Sequence, residues 1–201
     1  MSLDFLPLKS YANIVEGNAL RTDWESVVPK DKLNYIMGNP PFIGGMMATK
    51  EQKADMLSAI GDVKGLGELD YVAAWYYKAA DYIQGTKIEV AFVSTNSICQ
   101  GQQAVTLWKP LFEEGIHIDF AHRTFRWDSE ASIKAHVHCV IVGFTNYKTG
   151  KPKLIISDSG IKKVAHINSY LYDAPDLWLE NRTNKAGGTL PKMTTGSPPT
   201  D

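Results

Sequence analysis

The sequence predicts an α/β fold, in which short strands alternate with helices. Three observations support this prediction: apolar β-rich runs recur along the chain, helix-forming stretches separate them, and glycines mark several helix ends. The chain has 201 residues, of which 44% are hydrophobic, so it can bury one ordinary core. We therefore expect one domain with an additional segment.

Strand-like composition is found in five short runs. The first is followed by a single glycine, Gly38, and the last comes after a polar stretch. Because helical patterns lie between the runs, we expect them to share one α/β sheet. The predicted strands are residues 33–37, 88–94, 117–121, 136–144 and 154–157.

Three helices are predicted between these strands. The first begins after Thr49, a residue type that caps helix N-termini, and ends at Gly61. The second is marked by one apolar stripe over residues 69–83, and we interpret its aromatic residues as core packing. The third covers residues 102–114 and contains Pro110, which is expected to kink or split it.

The stretch Asn39-Pro40-Pro41-Phe42 carries the strongest chemical signal, because it directly follows the first strand and Gly38. Pro40 holds Asn39 in an extended conformation. The two prolines fix two φ angles and remove two N–H donors. The Asn39 amide oxygen and the Pro40 carbonyl then form an acceptor-rich corner that can hold the hydrogens of an amino group. A rigid turn after a buried strand is the alternative interpretation.

Asn39 to Phe42 resembles the catalytic motif of S-adenosylmethionine-dependent amino-methyltransferases, in particular the DNA adenine-N6 methyltransferases. Other segments resemble parts of these enzymes in the order in which they occur there. Together they are most similar to the methylase part of large single-chain restriction-modification enzymes of the MmeI type. The resembling segments are residues 16–24, 69–77, 93–98, 101–103, 120–127 and 135–144.

The resemblance implies a partial Rossmann-like class I methyltransferase fold, namely the C-terminal half of a seven-stranded, mostly parallel sheet. A Gly-containing loop that wraps the methionine end of the cofactor belongs to the other half, and none follows an early strand here. We therefore expect a fragment. Residues 1–147 are predicted to be a partial catalytic domain, and residues 148–201 a connector toward a target-recognition domain. A flexible terminus explains the tail equally well.

The resemblance also implies roles in catalysis. The adenine is expected to leave the DNA duplex, and its amine would donate hydrogen bonds to Asn39 and the Pro40 carbonyl while attacking the sulfonium methyl group. Aromatic side chains would stack on the two faces of the base. The implied catalytic residues are Asn39, Pro40, Pro41 and Phe42. The implied stacking residues are Phe42, Phe125 and, as the alternative to Phe125, Trp127, although packing at the end of the sheet explains Phe125 and Trp127 equally well.

A cofactor site and DNA contacts are implied in the same way. Asn18 occupies the position of an acidic residue that hydrogen-bonds the cofactor adenine, and its amide keeps the ability to form hydrogen bonds. The implied cofactor-binding residues are Asn18, Ala19, Pro41 and Tyr71. The residues expected to meet DNA phosphates are Arg123, Arg126 and Lys134, although a solvated surface also explains each of them.

Net charge, residue spacing and the length of apolar runs argue against several other functions. The formal net charge of −1 argues against tight DNA binding by this chain alone. The cysteines lack metal-ligand spacing and are predicted to be small buried hydrophobes in a reducing cytoplasm. His136 and His138 are interpreted as ordinary sheet residues rather than metal ligands, and Asp70 and Asp81 show no pattern of paired catalytic carboxylates. No apolar run is long enough to cross a membrane.

Two competing functions remain open. Protein glutamine-N5 methyltransferases also have an Asn-Pro-Pro-aromatic corner, although the helical insert after Phe42, the aromatic loop at 125–127 and the tail disfavour them. A non-catalytic packing or docking module is the other alternative, because no cofactor loop is found. We expect the parent protein to be a site-specific DNA adenine-N6 methyltransferase acting on double-stranded DNA, and this chain to be inactive in isolation.

Overall fold

The computed structural model describes residues 13–127 and 137–179, which contain one six-stranded mixed sheet. Its strands are β1 (Tyr35–Gly38), β2 (Glu89–Thr95), β3 (His117–Trp127), β4 (Val137–Thr145), β5 (Lys153–Ser157) and β6 (Gly160–Val164). Their order across the sheet is β1-β2-β4-β3-β5-β6. The five predicted strands are confirmed with ends that shift by one or two residues, except that β3 continues six residues further, and β6 was not predicted.

The helices are α1 (Trp24–Val27), α2 (Lys50–Ile60), α3 (Ala73–Tyr82) and α4 (Gly101–Glu113), and shorter 3-10 turns lie at Lys30–Lys32, Leu66–Glu68 and Asn96–Cys99. The predicted cap of α2 is confirmed, because the Thr49 hydroxyl accepts a hydrogen bond from the Gln52 amide. The second predicted helix starts four residues late. Residues 69–72 form a turn instead, in which the Asp70 carboxylate accepts from the Val72 amide.

The pairing of the strands determines which residues meet at one edge of the sheet. β1 and β2 are parallel, with Gly38 opposite Phe92. β4 is antiparallel to both β2 and β3, so Cys139 lies opposite Thr95 on one side and Phe125 on the other. The carboxyl ends of β1, β2 and β3 therefore lie at the same edge, which is where open α/β sheets bind ligands.

The core is most aromatic around α3. Tyr76 stacks on Phe144 with ring centroids 5.4 Å apart and meets Phe92 and Trp108 edge-on at 5.3 Å. Its ring is fully buried, and its hydroxyl shares a 2.7 Å hydrogen bond with Ser94, as buried polar groups require. The core assignment of the aromatic stripe is confirmed for this residue.

Helix α4 runs through Pro110 without a break, so of the two predicted outcomes the split is wrong and the kink stays a prediction. A proline at this position lacks the N–H that would bond the Thr106 carbonyl one turn earlier. The hydroxyl of Tyr77, on α3, donates to that carbonyl at 2.9 Å. A partner from the neighbouring helix thus satisfies the acceptor that the proline leaves open.

Strands β5 and β6 form a hairpin beyond β3, in which β5 is parallel to β3 and antiparallel to β6. The predicted boundary at residue 147 thus falls between two strands of one sheet, and the division into two parts stays a prediction. Both cysteines are free and buried, as predicted. In the described part of the chain, no helix is long and apolar enough to cross a membrane.

Candidate active site

The bend at residues 39–42 lies at the carboxyl edge of the sheet, directly after β1. Asn39 is exposed, whereas Pro40 is buried and anchors the bend. Among the described residues, the Asn39 side chain has no hydrogen-bond partner. Phe42 is partly buried and packs against the core. The corner therefore presents an unused amide to solvent on a rigid support.

A cavity of about 550 Å³ opens beside this bend. Its volume falls in the range of small-molecule and cofactor sites. Aromatic side chains make up much of its wall, and two asparagines supply polar groups. The residues that line it include Asn18, Asn39, Trp24, Tyr71, Trp75 and Phe92. An apolar wall with a few amide groups fits an adenine nucleoside, which has a flat ring and polar edges.

The cavity brings together residues predicted to bind the cofactor and residues predicted to act in catalysis. The four residues predicted to bind the cofactor, Asn18, Ala19, Pro41 and Tyr71, all lie on its walls. Asn39 and Pro40 also line it, whereas Phe42 does not. Phe42 thus lies outside this cavity, so a ligand that stacks on Phe42 would have to bind next to the cavity and not inside it.

One buried carboxylate joins two of these walls. Asp55, on α2, accepts hydrogen bonds from Asn18 Nδ2 at 2.8 Å and from the Tyr71 hydroxyl at 3.0 Å. Arg21 Nε donates to its other oxygen at 2.7 Å. The Arg21 guanidinium holds the pKa of Asp55 below its usual value, with further lowering by the other two donors and opposition from burial.

Lys78, on α3, holds the next part of the same segment. Its Nζ donates to the carbonyl oxygens of Ala19, Leu20 and Thr22 and lies 5.2 Å from the ring centre of Trp24. Burial lowers the pKa of this ammonium group. The segment that forms one cavity wall is thus fixed from two helices, by a carboxylate on α2 and an ammonium on α3.

Asp70 ties the loop after the bend to the sheet. One carboxylate oxygen accepts from the Ile43 amide at 3.0 Å and the Val72 amide at 3.1 Å, and the other accepts from the Thr95 hydroxyl at 3.1 Å. The Tyr71 amide donates to the Ile43 carbonyl at 2.8 Å. The loop that continues from Phe42 is therefore joined to the start of α3 and to the end of β2.

We expect Asp70→Asn to destabilise this junction and to lower the melting temperature of the protein. The substitution replaces one carboxylate oxygen, which accepts hydrogen bonds, with an NH2 group that cannot accept from the donor it faces. A hydrogen bond to a charged group contributes about 1.5–3 kcal/mol. Thermal unfolding measures the effect. Asp81→Asn, at an exposed position of α3, is the control, and equal melting temperatures of the two variants would contradict this role.

The remaining predicted residues lie on or next to β3. Phe125 is partly buried and meets the His122 ring edge-on, with centroids 4.9 Å apart. The Arg123 guanidinium stacks on Tyr172 at 4.0 Å from the ring centre, and Arg126 is exposed. The Trp127 backbone belongs to β3. The Trp127 side chain and Lys134 lie outside the described residues.

Several residues of the site were missed from the sequence. Asp55 and Lys78 contact it through partners far along the chain, so no local pattern marks them. Trp75 was assigned to core packing, which is confirmed, but its second position on the cavity wall beside Tyr71, with ring centroids 5.0 Å apart, was not predicted. The spacing of these two aromatics, one helical turn apart, was the available signal. Within residues 13–127 and 137–179, no cluster of three possible metal ligands is found.

The Asp55 ion pair predicts a pH dependence of stability. Because the Arg21 guanidinium holds the folded-state pKa of Asp55 below its ordinary value, the stabilisation is complete above that ordinary pKa and is lost as pH falls through the folded-state pKa. We expect the free energy of unfolding to decline in that acid range, and to decline less in Asp55→Asn. Urea denaturation at stepwise lower pH measures it. Asp62→Asn, at an exposed position, should keep the wild-type slope.

Comparison with known proteins identifies close relatives. The profile of the family described as "MmeI, DNA-methyltransferase domain" matches residues 1–157. DNA methyltransferase A of Bacillus subtilis (strain 168) is 42% identical over 198 residues, which cover 98% of this chain and 22% of the relative. The solved structure of the type IIL restriction-modification enzyme MmeI in complex with DNA aligns with a TM-score of 0.82 and 47% identity, covering 88% of this chain and 24% of that protein. The chain thus spans about a quarter of the length of these relatives.

Proposed function

Because the chain belongs to the family of the MmeI DNA-methyltransferase domain, we propose that it forms part of an enzyme that methylates the N6 amine of adenine in DNA with S-adenosylmethionine. The six-stranded mixed sheet is a partial Rossmann-like methyltransferase fold. The observation that carries the proposal is the Asn39 amide, which lines the aromatic cavity and has no hydrogen-bond partner among the described residues.

The cavity supplies the binding site for the cofactor. Tyr71 and Trp75 line it with aromatic rings, Asn18 with an amide, and Pro41 from the side of the bend. S-adenosylmethionine would supply a methyl group that is bonded to a sulfonium sulfur. After the transfer, this sulfur is part of a neutral thioether. Because this donor is already activated, the residues of the chain need to supply position and electrostatic complementarity.

The bend acts on the amine that receives the methyl group. The two N–H groups of the amine donate to Asn39 Oδ1 and to the Pro40 carbonyl, which directs the nitrogen lone pair toward the methyl carbon. The new N–C bond forms as the C–S bond breaks, and the extra proton of the amine passes to water. No metal ion and no covalent intermediate are needed, because the sulfonium donor is already activated and its methyl group can pass directly to the nitrogen.

The target base is proposed to be an adenine that has left the duplex. Phe42, which does not line the cofactor cavity, is the candidate for stacking on one face, and Phe125 or Trp127 for the other. Phe42 follows β1, whereas Phe125 and Trp127 belong to β3, and these strands are three strand spacings apart, about 14 Å. A base held near Asn39 would lie between Phe42 and the aromatic residues of β3. Arg123, Arg126 and Lys134 are proposed to contact phosphates of the same DNA.

The remaining proposals concern the whole protein. Because the chain spans 22% of one relative and 24% of the other, sequence recognition is proposed to reside elsewhere in a larger, cytoplasmic restriction-modification enzyme. Residues 1–147 would be its partial catalytic domain and residues 148–201 the connector. We propose that the isolated chain is inactive, which calorimetry with S-adenosylmethionine and a turnover assay on residues 1–201 would test.

The test of the function uses the full-length enzyme, double-stranded DNA and S-adenosylmethionine with a labelled methyl group. Digestion of the DNA to nucleosides followed by mass spectrometry should place the label on N6-methyladenine. Label on N4-methylcytosine would overturn the adenine assignment. Label on a release factor offered in parallel, with none on DNA, would favour the glutamine methyltransferase alternative.

A further inference from the structure

We propose that Asp55 is a positioning residue for the cofactor: it fixes the amide of Asn18 and the hydroxyl of Tyr71 in the orientations that the cofactor meets. This inference rests on the proposed function, and it assigns a role to a residue that does not itself line the cavity. Three parts of the chain meet at this one carboxylate: the segment before α1, helix α2 and the turn that precedes α3.

Burial makes Asp55 an effective anchor. The residue is only 6% exposed, although the segment around Asn18 is largely exposed and has no regular secondary structure. Its three donors come from positions 16 to 37 residues away in the chain. A buried carboxylate keeps its charge only when donors surround it, so the carboxylate and the wall segment hold each other in place.

The hydrogen bonds also select one of the two orientations of the Asn18 amide. Nδ2 donates to Asp55 at 2.8 Å, and Oδ1 accepts from the Leu20 amide at 2.9 Å. Rotating the amide would bring its oxygen against the carboxylate and its nitrogen against an N–H. Each end keeps capacity for one further hydrogen bond, so Asn18 can offer the cofactor one donor and one acceptor in fixed directions.

The Tyr71 hydroxyl is oriented in the same way. It donates to Asp55 at 3.0 Å, and burial is the main cause that raises the pKa of the phenol. Its ring meets the Trp75 ring edge-on, so a shift of the hydroxyl would move two aromatic walls together. Loss of Asp55 should therefore disturb cofactor binding both at Asn18 and at the Tyr71–Trp75 pair.

Substitution of Asp55 should weaken cofactor binding, whereas substitution of Asn39 should lower turnover. In the full-length enzyme, Asp55→Asn should raise the KM and the Kd for S-adenosylmethionine by about tenfold, because an amide cannot accept from all three donors. The turnover number at saturating cofactor should stay within about threefold. Asp62→Asn removes one negative charge at an exposed position nearby and should leave both constants unchanged.

A double-mutant cycle tests the pairing itself. Asn18→Asp alone places two carboxylates at hydrogen-bond distance and should weaken cofactor binding by more than about tenfold. Adding Asp55→Asn restores one acceptor opposite one donor, so the double variant should bind at least about threefold more tightly than Asn18→Asp. Independent, additive losses would overturn the proposal.

Two further variants keep the test decisive if Asp55→Asn fails to fold. Arg21→Gln changes a side chain that is 62% exposed, and Tyr71→Phe removes a single hydroxyl; each should raise the Kd by a few-fold. Unchanged constants in both would overturn the inference, and so would a loss of turnover without a change in KM. Failure of the wild-type enzyme to bind S-adenosylmethionine would instead overturn the proposed function.

Discussion

Asn39→Ala in the full-length enzyme should lower turnover by a factor on the order of 10²–10³, the usual cost of losing one preorganised hydrogen-bonding group that acts on a transition state. Affinity for S-adenosylmethionine should stay within a few-fold. The reason is structural: Asn39 is exposed, and its side chain bonds to none of the described residues, so truncation removes a contact to the amine and little else.

The control for this experiment is Asn34→Ala. Asn34 is also exposed and lies just before β1, so the substitution is chemically identical but away from the cavity. Turnover of this variant should match that of the wild type. Single-turnover rates and calorimetric cofactor affinities for both variants make the comparison. Near-normal turnover by Asn39→Ala would exclude Asn39 from the mechanism.

Gly45→Ala should destabilise the enzyme by about 1–3 kcal/mol, the usual cost of an overpacked site, and should reduce turnover. Gly45 is buried, and an added Cβ would lie 2.4 Å from the Gly67 carbonyl oxygen and 2.6 Å from that of Leu69. Both contacts are to backbone, which cannot rotate away. The loop after the bend would have to move, together with the corner it supports.

The neighbouring glycine offers a matched comparison. At Gly44 an added Cβ meets nothing within 4 Å, so Gly44→Ala should leave thermal unfolding and turnover close to the wild type. The two variants differ by one position and add the same methyl group. Equal melting temperatures would contradict the assigned role of the close contact at Gly45.

Much of the local structure was predictable because its causes lie close together in the chain. The cap at Thr49, the glycine at the end of α2 and the apolar periodicity of α3 each act within a few residues. The bend at 39–42 belongs to the same class, since prolines restrict their own neighbours. Pro110 shows the limit of such reasoning, because the group that satisfies the open Thr106 carbonyl comes from Tyr77 on another helix.

The site itself was predictable only in part. The resemblance supplied Asn18, Ala19, Pro41 and Tyr71, and all four line one cavity. The residues that hold this cavity together were not visible. Lys78 bonds carbonyls 56 to 59 positions earlier, and Asp55 reaches Asn18 across 37 positions. Periodicity and capping rules carry no information about pairs at such separations.

The sequence by itself determined the α/β class, the order of five of the strands and of the three longer helices, and the position of the bend, since propensity, periodicity and proline restrictions are local properties. The tertiary structure alone decided that this bend, the Asn18 segment and the start of α3 share one cavity. The reason is that buried charges such as Asp55 need donors, and only the folded chain brings those donors from distant positions to one carboxylate.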